Sequence, residues 1–503
     1  MWRKTLILLA ASIALATAAR AQDLRVAVAA FPTSLGVPYT GISQPSSELW
    51  LSVFDALTVL DWSKEAKPGL ALSWENKTPT VWTFHLRPGV TFHNGKSFAA
   101  QDVVEVFKLL KSPEGSGYLI AAETQNIADV RAKDSLTLEI ETRTPDAILP
   151  KRLSIIMIIE PDHWRNVGRD GFARKPIGTG PYRLISWGGG DKDATLEAFA
   201  ASWRPAKSIK RLQYRVILEH TSRLQALVSQ QVDMVTGLQV DDVEDLRAGG
   251  LQVTVQQNPQ IKSLALRNLK PGASPLKDVR VRRALNYAVD KDAIARVMMQ
   301  GYVAAIGQGA PPGITGHNPD VKPYAYDPPK ARTLLAEAGY AKGLKLLFSV
   351  VTTTGTPDAV MYQKVAQDLA AVGVSVDLQT TTFADYQSRY TFGNWGDVDA
   401  FSQIWNNAAF QDPIRAVEYF SCLKINPFFC EQDLVSDITK INAEIEPAKR
   451  ESLLRNYMAR IHDAAPAIWL TNSLYVTGYQ PRVTHFEMLP SGVTFEKLEV
   501  KRP

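Results

Sequence analysis

Strand-like and helix-like segments alternate along this chain, and the alternation predicts an α/β architecture, with α+β as the neighbouring possibility. Two further observations bear on the fold. The chain has 503 residues, more than a single core accommodates, so two or three domains are expected. It contains no internal repeat and no low-complexity linker. Its domains are therefore expected to share strands and crossovers rather than follow one another in a string.

The elements can be justified in order. Met1-Trp-Arg3-Lys4, an apolar run from Thr5 to Ala19 and the small-x-small sequence Ala19-Arg20-Ala21 read as a secretory signal peptide cleaved before Gln22. The apolar run is short of the ~20 residues a membrane span needs, and no cysteine at the cleavage point offers a lipid anchor. A protein free in the periplasm is the expectation. Leu24 to Ala29 is an apolar-rich opening strand. Val81-Trp-Thr-Phe-His-Leu86 alternates as a strand and ends at Arg87-Pro88-Gly89; Asn94-Gly95 is a hairpin signal. The following helix carries Val103, Phe107 and Leu110 on one face. Asp278 and Asp290 are read as caps of two successive helices, the second stopping at Gly301. Asp327-Pro328 starts a helix as N-cap and N1 proline, Leu334, Leu335 and Ala338 face inward, and Gly339 stops it. Thr356-Pro357 begins the next, with Val365, Leu369 and Val372 inward and Gly373 at its end. Val374-Ser-Val376-Asp-Leu378 alternates as a strand.

Composition excludes some functions and leaves others weakly supported. Loss of residues 1–21 removes Arg3, Lys4 and Arg20 but no acid, lowering the formal charge from +5 to +2. That near-balance gives no basic face for nucleic acid. The two cysteines, Cys422 and Cys430, form an even pair in an oxidising compartment and are expected to be bonded, the alternative being two buried thiols. No phosphate loop, nucleophile elbow or His-Glu-x-x-His run is present. Gly178-Thr179-Gly180 and Gly188-Gly189-Gly190 read as turns. The seven histidines (His85, His93, His163, His220, His317, His462 and His485) are scattered without metal-ligand spacing. Neither a metal, a cofactor nor an enzymatic activity is expected.

Four segments, taken in order, carry a resemblance. Val81-Trp-Thr-Phe-His-Leu-Arg-Pro-Gly-Val-Thr-Phe-His-Asn-Gly95 with Ala100-Gln-Asp-Val-Val104 is the first. Pro176-Ile-Gly-Thr-Gly-Pro-Tyr-Arg-Leu184 is the second. Val279-Arg-Val-Arg-Arg-Ala-Leu-Asn-Tyr-Ala-Val-Asp-Lys-Asp-Ala-Ile294 and Tyr326-Asp-Pro-Pro-Lys-Ala-Arg-Thr-Leu-Leu-Ala-Glu-Ala-Gly339 complete the set. Together they resemble the dipeptide/oligopeptide/nickel solute-binding family (family 5) of ABC importers. Two positions depart from its pattern: Gln230 stands where a glycine is usual, and Ala99 where a capping threonine is usual. Physically, Gly178, Gly180 and Pro181 suit a sharp turn with Tyr182 packed beneath it. Arg280, Arg282 and Arg283 beside Asp278 and Asp290 suit a solvated or salt-bridged face. The shared motifs are thus scaffold.

The resemblance implies a two-lobed periplasmic-binding-protein clamp (type II, cluster C-like) with an additional third domain. Lobe I would combine residues 22–45, 178–262 and 475–503, the extra domain II residues 46–177, and lobe III residues 263–474. Hinge closure would bury a solute between lobes I and III, and permease and ATPase subunits would be the partners of a monomer. Two loops are the candidate pocket. Phe31-Pro-Thr33-Ser34-Leu-Gly36 follows the opening strand at its carboxyl end, where open α/β sheets place ligands. Trp405-Asn406-Asn407-Ala-Ala-Phe410-Gln411-Asp412-Pro413 resembles the stretch in which peptide-binding relatives use an acid to pair with the ligand's ammonium, and Asp412 matches that acid. Other readings stand beside these: Trp405 as core, Asn406 and Asn407 as turn residues, Asp412-Pro413 as N-cap and N1. A short peptide or a peptide-like amine such as an opine is the expected solute, with an oligosaccharide or nickel as alternatives, and a ligand-presenting sensor as a different role.

Overall fold

The computed structural model describes residues 23–32, 34–41, 46–352 and 358–501. The signal-peptide reading, Thr33 and Thr356-Pro357 lie outside the described residues. Strands and helices alternate around a ten-stranded sheet that runs through the molecule. Its order is Tyr182–Gly188, Asp193–Ala198, Arg211–Val216, Asp23–Val28, Met234–Thr236, Ala467–Tyr479, Gln252–Leu266, Ala400–Asn406, Leu344–Val350 and Val374–Thr380. The opening strand pairs in parallel with Arg211–Val216 and Met234–Thr236, and Leu344–Val350 pairs in parallel with Val374–Thr380. Parallel neighbours need a crossover, which the intervening helices provide.

Gln252–Leu266 and Ala467–Tyr479 form one antiparallel ribbon at the centre. One end of the ribbon joins the first half-sheet, Thr477 to Tyr479 pairing with Thr236 to Met234. The other end joins the second, Gln260 to Leu266 pairing with Asn406 to Ala400. Between these ends the register slips twice, at Asn258/Ile261 and Ile261/Ser263, around Pro259. Proline cannot donate to a ladder, so the ribbon is interrupted where it passes from one half to the other. A separate four-stranded sheet, Ala71–Thr78, Val81–Leu86, Thr137–Thr142 and Ile127–Ala132, carries the Trp-Thr-Phe-His-Leu block.

The local punctuation has visible causes. Asp278, Asp290 and Asp327 accept the backbone N–H of Arg280, Ala293 and Lys330 at 2.8–2.9 Å. Gly178 and Gly180 sit where no side chain fits: a Cβ on Gly178 would lie 2.2 Å from the Val53 carbonyl oxygen. Tyr182 is fully buried beside this turn. Gln230 takes φ 60°, a left-handed conformation that glycine adopts at little cost and glutamine does not. Ala99 offers no side-chain cap, and the start of helix Ala100–Lys111 is held by Asp102 accepting the Ala99 N–H at 2.9 Å and by the Ala100 N–H donating to the Ser135 carbonyl at 2.9 Å.

Of the two alternatives for the arginine cluster, solvated or salt-bridged, Arg282 takes the second: it is buried, ion-paired with Glu431, and donates to that acid and to the carbonyls of Ala464, Leu276 and Lys277 at 2.7–3.1 Å. Five N–H groups on a planar fork let one arginine satisfy several chain ends. Arg280, in contrast, is exposed and pairs with Asp278.

Candidate functional site

The two predicted loops occupy different settings. Ser34 is buried in a tight turn, its hydroxyl donating to the Val37 carbonyl at 2.8 Å and meeting the Thr40 hydroxyl at 2.6 Å. Leu35 adopts φ 49°, and its carbonyl accepts the Trp50 indole N–H at 2.9 Å.

The second loop, residues 405–413, follows strand Ala400–Asn406 beside the interrupted ribbon. Trp405 is fully buried, 4.3 Å from the Phe420 ring and 5.8 Å from Trp469, and its indole covers Gly309 so closely that a Cβ there would stand 2.5 Å away. The side chain of Asn406 accepts the Ala409 N–H at 3.2 Å, holding a turn. Asn407 is fully buried, and its amide donates to the carbonyls of Pro259 and Gly309 at 3.0 and 2.9 Å. It therefore ties this loop to the ribbon at the point where its register slips.

Asp412 is fully buried and fully engaged. Arg450 donates to both its oxygens, at 2.5 and 3.0 Å, and the N–H of Ile414, the first residue of helix Ile414–Tyr419, donates to it at 3.0 Å. The Lys151 amine approaches to 3.9 Å. Burial raises the Asp412 pKa, but the Arg450 charge and hydrogen bonds, aided by Lys151, outweigh it and hold the carboxyl below its ordinary range. The structure brings Trp405, Asn406, Asn407 and Asp412 into one loop; Ser34 lies in a separate turn.

Sequence reasoning puts Tyr386, Tyr390 and Trp395 in the same region as added aromatic surface, but it missed their partners and the charged groups around that loop. Tyr386 and Tyr390, on helix Phe383–Phe392, stack at 5.8 Å, and Tyr390 meets Tyr419 edge-on at 6.0 Å. All three are only partly exposed. The Tyr386 hydroxyl donates to Gln403, and the Tyr419 hydroxyl to Glu123 at 3.0 Å. The stacking spacing i, i+4 of Tyr386 and Tyr390 was legible in the sequence; the partners were not. Lys262, on the ribbon, is ion-paired with Asp358 at the start of helix Asp358–Ala370, both buried. A cavity of 490 Å³ lies elsewhere, lined by Tyr287, Tyr324, Lys330 and His462 among others, and includes none of the predicted site residues. Cys422 and Cys430 are disulfide-bonded.

Residues 65–426 match the profile of the bacterial extracellular solute-binding proteins, family 5 Middle, and the chain belongs to that family. Heme-binding protein A of Haemophilus influenzae is 27% identical over 469 residues, covering 86% of this chain and 83% of the relative. The dipeptide-binding protein of Escherichia coli is 27% identical over 475 residues, 85% of each chain. Among solved structures, the periplasmic binding protein DppA of Helicobacter pylori in complex with the peptide STSA superposes with a TM-score of 0.83 at 24% identity, covering 95% of this chain and 98% of its own. AgaA from A. tumefaciens R10 with agropinic acid also gives 0.83, at 20% identity over 96% and 99%. The fold is therefore that of the family 5 periplasmic binding proteins, and the chain is the solute-binding component of an ABC-type importer. Among the described residues no helix is long and apolar enough to cross a membrane.

Proposed function

We propose that the chain is exported with loss of residues 1–21 and works in the periplasm as a monomeric clamp that binds its solute without turning it over. Lobe I (residues 22–45, 178–262 and 475–503) with domain II (46–177) forms one body, and lobe III (263–474) the other. The single observation that carries this reading is the interrupted ribbon: two long strands serve both half-sheets and lose their register between them. A hinge needs few residues that absorb backbone change, and this is where the sheet is least constrained. The closed clamp is then read by permease and ATPase subunits.

The solute is a short peptide or a peptide-like compound such as an opine. Two proteins of this fold carry such ligands, the peptide STSA and agropinic acid. With Asp412 already balanced by Arg450 and Lys151, hydrogen bonds to the solute's amides and carboxylates and stacking on Tyr386 and Tyr390 carry recognition, rather than an ammonium contact. The test is a thermal-shift screen of residues 22–503, stripped of solute by unfolding and refolding. The probes are Ser-Thr-Ser-Ala, Met-Leu, agropinic acid, an oligosaccharide and Ni²⁺. A ligand at about 100 times its Kd stabilises by about 2.7 kcal/mol. Stabilisation by a peptide or opine supports the reading; stabilisation by the oligosaccharide or nickel alone overturns it.

A further inference from the structure

Away from the ribbon, a second contact joins the bodies. Arg152, nearly buried, sits among three acids: Asp146 at 2.8 Å, Glu418 at 2.8 Å and Glu123 at 3.6 Å. Glu418 belongs to the opposite body and also receives the Asn442 amide at 2.9 Å. From that body Arg415 donates to Glu123 at 2.7 Å and the Tyr419 hydroxyl donates to it at 3.0 Å. The Ala147 N–H bonds the Asn442 carbonyl at 2.8 Å, and Ile148 packs into the apolar cluster of Phe410 and Phe420. With Lys151, Arg450 and Asp412 the contact contains four acids and four bases and is neutral by itself.

We propose that this contact is a built-in closing interface, with Arg152 and Arg415 as its positioning residues, which draws the clamp shut in the absence of solute. It rests on the two-body reading above. Each arginine reaches an acid of the other body, so opening separates Arg152 from Glu418 and Arg415 from Glu123. Closure costs desolvation of these charges and returns their mutual attraction, two terms of similar size. The apolar seat of Ile148 and the backbone bond to Asn442 then tip the balance toward closure. Because no charge is left over, the solute need not supply one for the clamp to shut.

Small-angle X-ray scattering on solute-stripped protein at low salt tests this. Wild type is expected at a compact radius of gyration. Glu418→Gln, which leaves the Arg152–Asp146 pair intact, and Arg415→Met are expected to shift the open-to-closed ratio roughly a hundredfold or more toward open, as losing one partner of a buried pair does. Arg152→Lys should restore part of the closure that Arg152→Met removes, and circular dichroism checks that each variant is folded. Equal radii for wild type and the folded variants, or a wild type already open at low salt, would overturn the proposal. The measurement uses no solute, so a protein that opens as expected yet responds to no peptide or opine refutes only the ligand assignment.

Discussion

Replacing Asp412 by Asn separates the two roles this residue can have. Its carboxylate is fully buried and receives both Arg450 nitrogens, with Lys151 behind them. Asparagine keeps an oxygen for the Ile414 N–H but removes the charge, leaving Arg450 buried against a neutral partner. Breaking a buried pair from one side costs about 3–5 kcal/mol, so Asp412→Asn and Arg450→Met should each destabilise by about that much. The double variant should lose less than the sum, because neither charge is then left alone. Urea unfolding of solute-stripped protein, followed by tryptophan fluorescence, reports on this region, since Trp395, Trp405 and Trp469 share its apolar cluster. The reasoning fails if Asp412→Asn unfolds at the wild-type urea concentration or above it. A carboxylate held ready for a solute's ammonium would behave that way, because its removal relieves an unpaired charge.

Other expectations concern the scaffold. His93 stands between two backbone groups: Nε2–H donates to the Gly180 carbonyl at 3.1 Å and Nδ1 accepts the Gly178 N–H at 3.4 Å. Burial lowers its pKa from 6.5 to about 4, and a second ring proton would face the Gly178 N–H. The depressed value contributes stability that is present above pH ~6.5 and is lost as pH falls toward ~4, on the order of 2–3 kcal/mol. Thermal unfolding across that range should be flatter for His93→Asn than for wild type. Gln230→Gly should raise stability by about 1 kcal/mol, measured by urea midpoint, because the left-handed backbone favours glycine. Reducing the Cys422–Cys430 bond, which spans a sequence separation of 8, should cost about 2.6 kcal/mol by loop entropy, visible as a lower melting temperature of the Cys422→Ser/Cys430→Ser variant.

What the sequence determined by itself was governed by near neighbours. Asp278, Asp290 and Asp327 cap amides two or three residues on, and Gly339, Gly373 and Gly301 all take positive φ at helix ends. Such rules act within a turn, so reading them needs no tertiary information. The four motif blocks were legible for the same reason, as strings whose order identifies a shared frame. Tertiary structure decided which charges are spent. Arg282 looks like its exposed neighbour Arg280 in the sequence, but two distant groups, the Ala464 carbonyl and Glu431, close around it together with the nearby Leu276 and Lys277 carbonyls. Asp412 looked available until Arg450, 38 residues away, was found on both its oxygens. Arg152 and Glu418 are 266 residues apart, and nothing local marks either as a partner. Burial raises the cost of an unpaired charge and the strength of a paired one together. Which arginine answers which acid is therefore fixed only when packing brings them together and excludes water.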